Sequence, residues 1–457
     1  MKDTFKNIIK KFVKILFTWE ARLVLWRYKP RLILITGSIG KTSTKEAVYT
    51  LFNSFFQTGK SQKSYNSDIG LPLAVLDLDT AWDSYWGWIK NLVKGFKKII
   101  WSKTYPEWLV LEVGADRPRD ISQLAEWLSA EIVIINPIPE IPPHIEFFNS
   151  RDHLVAEKHS LVKTLKPDGL LVYNEDNQDA KGAVALFSGQ AKSFGLSEKA
   201  DVAAHEVHVI YQEDNNLRWP VGTGFSVKMG GSTVPVRIMG VLGSGAVQSA
   251  LAALAAGFGS GFNLVEMTES FSAYESPPGR MRLIWGIKNT LLIDDTYNSS
   301  PEALSSALNL LNKLEINGRK IAVLGDMLEL GTETVNSHRE AGKQAVGICD
   351  KLFAVGLRAR FLAEAAIDAG MNPEEVKVFE SSEKAARELQ DLLEPGDVVL
   401  FKASQAIRME KAVLELMKEP DKSKDLLCRQ DGYWQEKPVA LGLKLELKET
   451  KDLEKEK

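Results

Sequence analysis

The chain has 457 residues, of which 44% are hydrophobic and 26% are charged, and its net charge is −3 at neutral pH. This length exceeds what one hydrophobic core usually serves, so we expect two or three domains. The slightly negative charge gives no reason to expect nucleic acid as a partner. The two cysteines, Cys349 and Cys428, lie far apart and outside any CxxC pattern. This disfavours a disulfide framework or a thiolate metal site, and it fits a reducing compartment.

Two segments combine apolar and basic residues. In residues 1–28, apolar residues recur at helical spacing with lysines between them, and no apolar run is long enough to span a bilayer. Residues 81–105 interleave tryptophans with lysines, which is typical of a bilayer interface. We therefore expect peripheral contact with a membrane through 1–28 and 81–105. The alternative is that both segments are ordinary helices, packed on one side and solvated on the other.

From Arg31 onward, apolar runs alternate with helical patterns, which predicts an α/β fold with a mostly parallel sheet. Residues 202–239 differ, because alternating apolar residues and paired glycines favour antiparallel hairpins there. The predicted buried strands of this first half are 32–35, 108–113, 132–135 and 170–173, and the predicted helices are 44–56 and 246–258.

The turn Pro277-Pro278-Gly279 is the predicted hinge between two domains, because two prolines and a glycine end the preceding pattern. A second α/β pattern follows it, with strands at 290–294, 320–324, 352–355, 376–379 and 398–401. We predict a basic amphipathic segment (1–30), a central P-loop ATPase-type domain with a mostly parallel sheet (31–277), a smaller Rossmann-like α/β domain (278–420) and a charged tail (421–457). The tail is expected to be mobile, since it is charged and lacks periodicity.

A phosphate-binding loop is the clearest motif. The apolar run 32–35 leads into Thr-Gly-Ser-Ile-Gly-Lys-Thr-Ser and then into a helical pattern. Glycines let backbone N–H groups approach phosphate oxygens, and the helix N-terminus adds a favourable dipole. Lys41 is expected to reach the outer phosphates of ATP, and the Thr42 hydroxyl to ligate Mg²⁺. The common spacing would place glycine at position 35, where the chain has Ile35, so the motif is a shorter form. The predicted ATP-binding residues are Gly37, Ser38, Gly40, Lys41, Thr42 and Ser43.

The chain resembles the Mur ligases over about Ile33 to Leu416. The resemblance rests on motifs that follow one another in the order of that family. They are TGSIGKTSTKE, YNSDIGLPLAVL, LVLEVGADRPRDISQLA, PPHIEFFNSRDHLVAEKHSLV, ESPPGRMRLI, LLIDDTYNSSPEALSSAL, IAVLGDMLELG and PGDVVLFKASQAIRMEKAV.

The resemblance implies a metal site as well as an ATP site. Thr42, Glu112, His144 and Lys158 match positions that hold Mg²⁺ in the family, the lysine as a carbamate. Lys41, His144 and Lys158 are the implied catalytic residues. Without the resemblance, His144 and Lys158 would be read as surface residues, whereas a glutamate that closes a buried strand already favours a functional role for Glu112.

Three further positions follow from the same motifs. Arg280 at the hinge is expected near the ATP phosphates, Asp295 near the ribose, and Asn66 at the substrate. Because Arg280 lies at the hinge, domain closure is expected to complete the nucleotide site.

The resemblance also implies a reaction. A substrate carboxylate attacks the γ-phosphate of ATP, and an amine then displaces phosphate from the acyl-phosphate to give an amide. The family member with the best-matching motifs joins UDP-MurNAc-tripeptide to D-alanyl-D-alanine in peptidoglycan precursor synthesis. A cytoplasmic location, at the inner face of the membrane if the amphipathic segments bind it, is expected.

Several positions depart from the family pattern. About thirty residues precede the loop in this sequence, where the family places a UDP-sugar-binding domain, so substrate docking is expected to differ. Gly245, Ala246 and Ser249 occupy positions where the family has histidine and asparagine, which leaves adenine recognition open. Ile39 and Ser300 replace frequent asparagines. Two alternatives therefore remain: a Mur-type ligase with another acceptor (a lipid-linked or non-UDP substrate), and a membrane-associated nucleotide-binding protein without turnover.

Overall fold

The computed structural model describes residues 2–61, 69–81, 84–140, 142 and 145–436. The chain divides into two structural units. The first comprises residues up to Val207 together with Phe225–Arg237 and Ser244–Tyr274. The second comprises His208–Gly224, Ile238–Gly243 and the residues from Glu275 onward.

The elements that precede the predicted hinge are, in chain order, α1 (Lys2–Tyr28), β1 (Arg31–Thr36), α2 (Lys41–Asn53), β2 (Thr58–Lys60), α3 (Gly70–Leu76), α4 (Tyr85–Trp101), β3 (Trp108–Glu112), α5 (Asp120–Ala125), β4 (Ala130–Ile135), α6 (Arg151–His159), β5 (Leu165–Asn174), α7 (Gln178–Gly182), β6 (Gln190–Gly195), β7 (Val202–Asp214), β8 (Leu217–Met229), β9 (Ser232–Met239), α8 (Ser244–Gly259) and α9 (Leu264–Ser270). Those that follow it are β10 (Arg282–Gly286), β11 (Thr290–Asp295), α10 (Pro301–Lys313), β12 (Lys320–Gly325), α11 (Thr334–Ala345), β13 (Lys351–Val355), α12 (Ala359–Asp368), β14 (Val376–Phe379), α13 (Ser382–Leu392), β15 (Val398–Lys402), α14 (Glu410–Leu416), α15 (Ser423–Leu426) and α16 (Gly432–Glu436).

The first sheet has the strand order β2-β3-β1-β4-β5-β6-β7-β8-β9 in the described part of the chain, and its pairs from β2 to β7 are parallel. Strand β1 lies between β3 and β4, and Ile33, Leu34 and Ile35 are fully buried, as expected for a parallel strand covered on both faces. The pairing of β1 with β3 and β4 brings the carboxyl ends of these three strands to one edge of the sheet. This edge carries the phosphate loop.

The predicted hairpins between 202 and 239 are confirmed as three long neighbouring strands, β7, β8 and β9. Two-residue turns join them, with positive φ at Asn215 and Asn216 (50° and 62°) and at Gly230 and Gly231 (57° and 81°). Asparagine and glycine tolerate this left-handed region best, and tight hairpin turns require it.

The second sheet has the order β10-β11-β15-β12-β13-β14 and confirms the predicted α/β pattern after the hinge. Strand β10 pairs antiparallel with β11, and the other pairs are parallel. Strands β11, β12 and β15 are buried along most of their length, because helices cover both faces.

The expectation of a mobile tail after Pro420 is wrong for the described residues up to 436. Leu427 and Cys428 are buried, and Leu427 belongs to a core cluster of the second unit. The carboxylate of Glu410 is fully buried and accepts from Arg408 at 2.5 Å and from Arg429 at 2.9 Å. Arg429 therefore neutralises a buried carboxylate. The charged composition of the segment does not reveal this ion pair.

The described side chains of α1 pack against the first unit on one side of the helix, while Ile15, Trp19 and Trp26 are exposed. Phe17, Ala21 and Val24, spaced three and four residues apart, are fully buried in the core of the first unit. The side chains of residues 2–12 are not described. None of the described helices combines the length and the apolar composition that spanning a bilayer would require.

Candidate functional site

The phosphate loop follows β1 and ends at Gly40, the N-cap of α2. Gly37 has a φ of 129°, and a Cβ at this position would lie 2.6 Å from the Asn136 Cβ, so only glycine fits. Gly40 has a φ of 78°. The first-turn amides of an α-helix lack acceptors within the helix, and its N-terminus attracts anions. Lys41, Thr42 and Ser43 form this first turn, so the residues predicted to bind ATP lie together at the N-terminus of α2.

Two lysines converge on the loop. Lys41 Nζ donates to the Gly37 carbonyl at 3.1 Å, and Lys158 Nζ donates to the same oxygen at 3.0 Å. Lys158 is only 3% exposed. Burial, followed by repulsion from the Lys41 charge, lowers the pKa of Lys158 to about 7. The side chain is therefore part of the loop's environment, and the alternative of a surface lysine is wrong.

A threonine and a glutamate beside the phosphate loop bring two side-chain oxygens together. The Thr42 hydroxyl donates to Glu112 Oε2 at 2.9 Å, and both side chains are buried. The pairing of Ile35 with Glu112 places the carboxylate beside the end of β1. Carboxylate and hydroxyl oxygens suit a hard divalent cation, so this pair fits Mg²⁺. The described residues contain no cluster of three or more His, Cys, Asp or Glu side chains that could hold a metal.

Two polar side chains fix Lys158 in this position. Ser150 caps α6 by accepting from the His153 amide at 3.2 Å. Glu157 Oε1 accepts from the amides of Ile121 and Ser122 at 2.8 Å each, which ties α6 to the start of α5. The serine N-cap makes the start of α6 predictable from the sequence. The contact of Glu157 with α5 was missed, because it depends on how the two helices pack.

Asn136, at the end of β4, was also missed. Its Nδ2 donates to the Ile39 carbonyl at 3.2 Å and to Thr44 Oγ1 at 2.9 Å. It thereby connects the loop with the first turns of α2. An asparagine directly after a buried strand was the only available signal, and the parallel pairing of β4 with β1 is what brings it to the loop.

The Ser38 hydroxyl is buried and has no hydrogen-bond partner. The amides of Ser38 and Ile39 donate to the Pro137 carbonyl at 3.0 and 3.3 Å. A buried hydroxyl without a partner costs free energy, which a phosphate oxygen would recover by accepting from it.

The second unit holds Arg280 and Asp295. The Arg280 guanidinium lies 4.1 Å from the centre of the Tyr297 ring, and its buried Nε has no hydrogen-bond partner. Asp295 Oδ2 accepts from Lys402 Nζ at 2.5 Å, and both side chains are buried. Lys402, which sequence reasoning missed, therefore occupies an oxygen of the carboxylate that was predicted to face the ribose.

His144 and Asn66 lie outside the described residues. Of the three positions that depart from the family pattern in α8, Ser249 is buried against α2. Its hydroxyl donates to the Gly245 carbonyl at 2.9 Å and accepts from Thr44 at 3.4 Å. Its role here is packing beside the loop helix, and adenine recognition stays open.

A glycine loop at the edge of a parallel sheet, with two lysines and an oxygen pair around it, defines a phosphate-loop nucleotide-binding protein. The family models of the Mur ligase middle domain (residues 94–257) and the Mur ligase glutamate ligase domain (residues 279–405) match, together covering more than half of the chain. The chain therefore belongs to the Mur ligase family, as its motifs predicted.

Individual relatives agree with this assignment. The chain is 28% identical over 401 residues to the UDP-N-acetylmuramoyl-tripeptide–D-alanyl-D-alanine ligase of Bacillus subtilis, covering 88% of this chain and 79% of that protein. Its identity to the Escherichia coli protein of the same name is 26%, covering 79% and 72%. The structure of the MurF ligase from Thermotoga maritima in complex with ADP matches with a TM-score of 0.70 and 26% identity, covering 90% and 84%.

Proposed function

We propose that the chain is an ATP-dependent, ADP-forming ligase that joins the carboxylate of a UDP-MurNAc-tripeptide to the amine of D-alanyl-D-alanine, in peptidoglycan precursor synthesis. The observation that carries the proposal is the convergence of Lys41 and the buried Lys158 on the Gly37 carbonyl, beside the Thr42–Glu112 pair. The names of the two ligase relatives supply the donor and the acceptor, and the ADP complex of the T. maritima ligase supports ATP as the phosphate source.

The proposed reaction has two steps. A carboxylate oxygen forms a bond to the γ-phosphorus, and the bond to the ADP oxygen breaks. The amine then bonds to the carbonyl carbon, inorganic phosphate leaves, and the amine loses a proton. Lys41 and the first turn of α2 stabilise the negative charge on the phosphoryl oxygens. Thr42 and Glu112 would hold Mg²⁺, which when bound neutralises phosphate charge.

Lys158 is proposed to carry a carbamate. An amine must be neutral to react with CO₂, and burial keeps a substantial share of Lys158 neutral near pH 7 because its pKa is lowered to about 7. The reaction forms a bond between the neutral amine nitrogen and the carbon of CO₂, releases one proton and leaves an anionic oxygen ligand. His144, Asn66, Arg280 and Asp295 remain proposed as metal, substrate, phosphate and ribose contacts respectively.

Phosphate release from ATP tests the proposed function. It is measured with UDP-MurNAc-tripeptide alone, with D-alanyl-D-alanine alone, and with both. Release that requires both supports the proposal. Release that requires UDP-MurNAc-tripeptide and a different amine would replace the acceptor, and ATP binding without turnover for any acceptor would favour a non-catalytic nucleotide-binding protein. Lys41→Ala should abolish turnover, while an exposed-lysine control, Lys163→Ala, should retain it.

We also propose a cytoplasmic location with peripheral contact at a membrane surface. Within 1–28, Phe17, Ala21 and Val24 are buried in the core while Ile15, Trp19 and Trp26 are exposed, and 81–105 exposes six large apolar side chains on α4. Trp82 lies outside the described residues. Both segments are therefore proposed to contact the membrane, and α4 offers the larger exposed apolar surface.

A further inference from the structure

Helix α4 presents an apolar face to solvent. Ile89 is 51% exposed, Val93 50% and Phe96 48%, and all three lie on one side of the helix because they are spaced four and three residues apart. Trp86 and Ile100 continue the same spacing, with 81% and 42% exposure. These five residues, here called the outer face of α4, are Trp86, Ile89, Val93, Phe96 and Ile100.

The opposite side of α4 is attached firmly to the first unit. Trp88 packs edge-on against Phe17, with ring centres 5.7 Å apart. Tyr28 donates its hydroxyl to the carbonyls of Lys98 and Ser102 at 2.9 and 2.8 Å. The outer face is therefore held in place on a packed helix, and its exposure does not come from a frayed end.

The charges on α4 all have one sign. The helix contains four lysines and no acidic residue. Lys90, Lys94 and Lys97 are exposed and follow Ile89, Val93 and Phe96 by one position each, so they form a basic row along one border of the outer face. The fourth, Lys98, turns inward and donates to Asp77 at 3.2 Å.

Tryptophans stand near both ends of this face. Trp86 lies in the first turn of the helix, and Trp101 is its last residue, 66% exposed. The indole ring suits the headgroup depth of a bilayer, and lysines attract anionic headgroups. A helix of 17 residues is about 25 Å long, so it would lie along such a surface.

We propose that the outer face of α4 binds an anionic lipid surface, with Trp86, Ile89 and Phe96 entering the headgroup–acyl boundary and the lysine row contacting anionic headgroups. Charge complementarity favours this occupant over a second copy of the chain. Two α4 helices packed by their outer faces would bring two rows of lysines together without any acid on either helix. The inference rests on the membrane contact proposed above, for which it names the surface and the class of lipid, and it does not depend on the ligase function.

Co-sedimentation of the full chain with vesicles tests the apolar contact. One vesicle population is phosphatidylcholine alone, and the other is phosphatidylcholine mixed with phosphatidylglycerol. The chain should bind the mixed vesicles, and Ile89→Ser/Phe96→Ser should reduce partitioning at least about tenfold. The matched control is Val265→Ser/Val378→Ser, two valines that are each 53% exposed elsewhere, and it should bind like the unmodified chain.

A charge-reversed variant tests the lysine row. Lys90→Glu/Lys94→Glu/Lys97→Glu should lower binding to the mixed vesicles at least about tenfold, and added salt should lower the binding of the unmodified chain. The matched control reverses three exposed lysines elsewhere, Lys163, Lys199 and Lys228, and should bind normally. Unchanged circular dichroism and ATP binding confirm that each variant is folded.

Three results would overturn the proposal. They are equal binding to neutral and anionic vesicles, equal losses in the α4 variants and their controls, and vesicle-independent dimerisation that Ile89→Ser/Phe96→Ser abolishes in light scattering. The last would identify a second copy as the occupant. If the unmodified chain binds vesicles but shows no ligase turnover, the proposed ligase function is contradicted and the lipid contact is still supported.

Discussion

Lys158 Nζ lies 3.0 Å from the carbonyl oxygen of Gly37, although 121 positions separate the two residues in the sequence. The contact joins α6 to the phosphate loop and buries the Lys158 amine beside Lys41. A buried amine costs free energy as an ammonium, so the site favours a neutral or modified lysine.

Replacement of Lys158 by alanine should therefore reduce turnover by roughly a hundredfold or more, since it removes a buried charged or modified group beside the reacting phosphate. Removal of CO₂ from the buffer should lower the activity of the unmodified enzyme, and bicarbonate should restore it. The alanine variant should show no such response, and the exposed-lysine variant Lys163→Ala should behave like the unmodified enzyme. Activity that is independent of CO₂ would contradict the carbamate.

The Thr42–Glu112 pair predicts a change in metal dependence. Glu112→Gln keeps the shape of the side chain and an acceptor for the Thr42 hydroxyl but removes the negative charge. The Mg²⁺ concentration for half-maximal phosphate release should rise at least about tenfold. Glu131→Gln, on β4 of the same sheet, is the control. An unchanged Mg²⁺ requirement in the Glu112 variant would show that this carboxylate does not hold the metal.

Asn136 should matter for the loop although it is not a predicted ligand. Asn136→Ala removes donors to the Ile39 carbonyl and Thr44, so we expect the free energy of unfolding to fall by about 1–2 kcal/mol and ATP affinity to weaken. Calorimetry of ATP binding and urea titration measure the two effects. Asn263→Ala removes an amide that caps α9 and makes no hydrogen bond to the loop in the described part of the chain, and it should lower stability without weakening ATP binding. Equal affinity losses in both variants would refute a positioning role for Asn136.

Glu20 predicts how stability depends on pH. Its carboxylate is 6% exposed, its Oε2 has no hydrogen-bond partner, and burial raises its pKa from 4.5 to about 7. Because the folded pKa exceeds the unfolded one, its contribution to stability is complete below about pH 4.5 and is lost as the pH rises through about 7. The loss should reach about 3 kcal/mol at most.

Urea unfolding at several pH values checks this dependence. Glu20→Gln should remove the fall in stability between about pH 5 and about pH 8, because an amide does not ionise. The control Glu198→Gln, at an exposed site, should leave the fall unchanged. The same pH profile in all three proteins would place the titrating group elsewhere.

Arg429 tests the correction to the predicted tail. Arg429→Ala would leave the fully buried Glu410 with Arg408 as its remaining arginine partner and should lower the free energy of unfolding by about 3 kcal/mol. The exposed Arg237→Ala should have little effect. Thermal unfolding of the two variants provides the comparison, and equal melting temperatures would mean that the segment after Pro420 adds nothing to the fold.

The sequence predicts local features of the fold well. The apolar run before Gly37, the glycines and the following helical pattern are contiguous, so β1, the loop and α2 are readable without tertiary contacts. Glu112 was also identifiable, because a carboxylate at the end of a buried strand needs a reason. Asn136, Glu157 and Lys402 were not identifiable, because strand order, helix packing and buried ion pairing give them their roles.

Oxygen transfer from the substrate carboxylate tests the acyl-phosphate mechanism most directly. UDP-MurNAc-tripeptide labelled with ¹⁸O in its reacting carboxylate is incubated with ATP, D-alanyl-D-alanine and the enzyme, and the released phosphate is analysed by mass spectrometry. Because the attacking carboxylate oxygen leaves with the phosphoryl group, the account predicts one ¹⁸O atom in each phosphate and none when Lys41 is replaced by alanine. Unlabelled phosphate accompanying amide formation would contradict the acyl-phosphate, and labelled phosphate without amide would contradict D-alanyl-D-alanine as the acceptor.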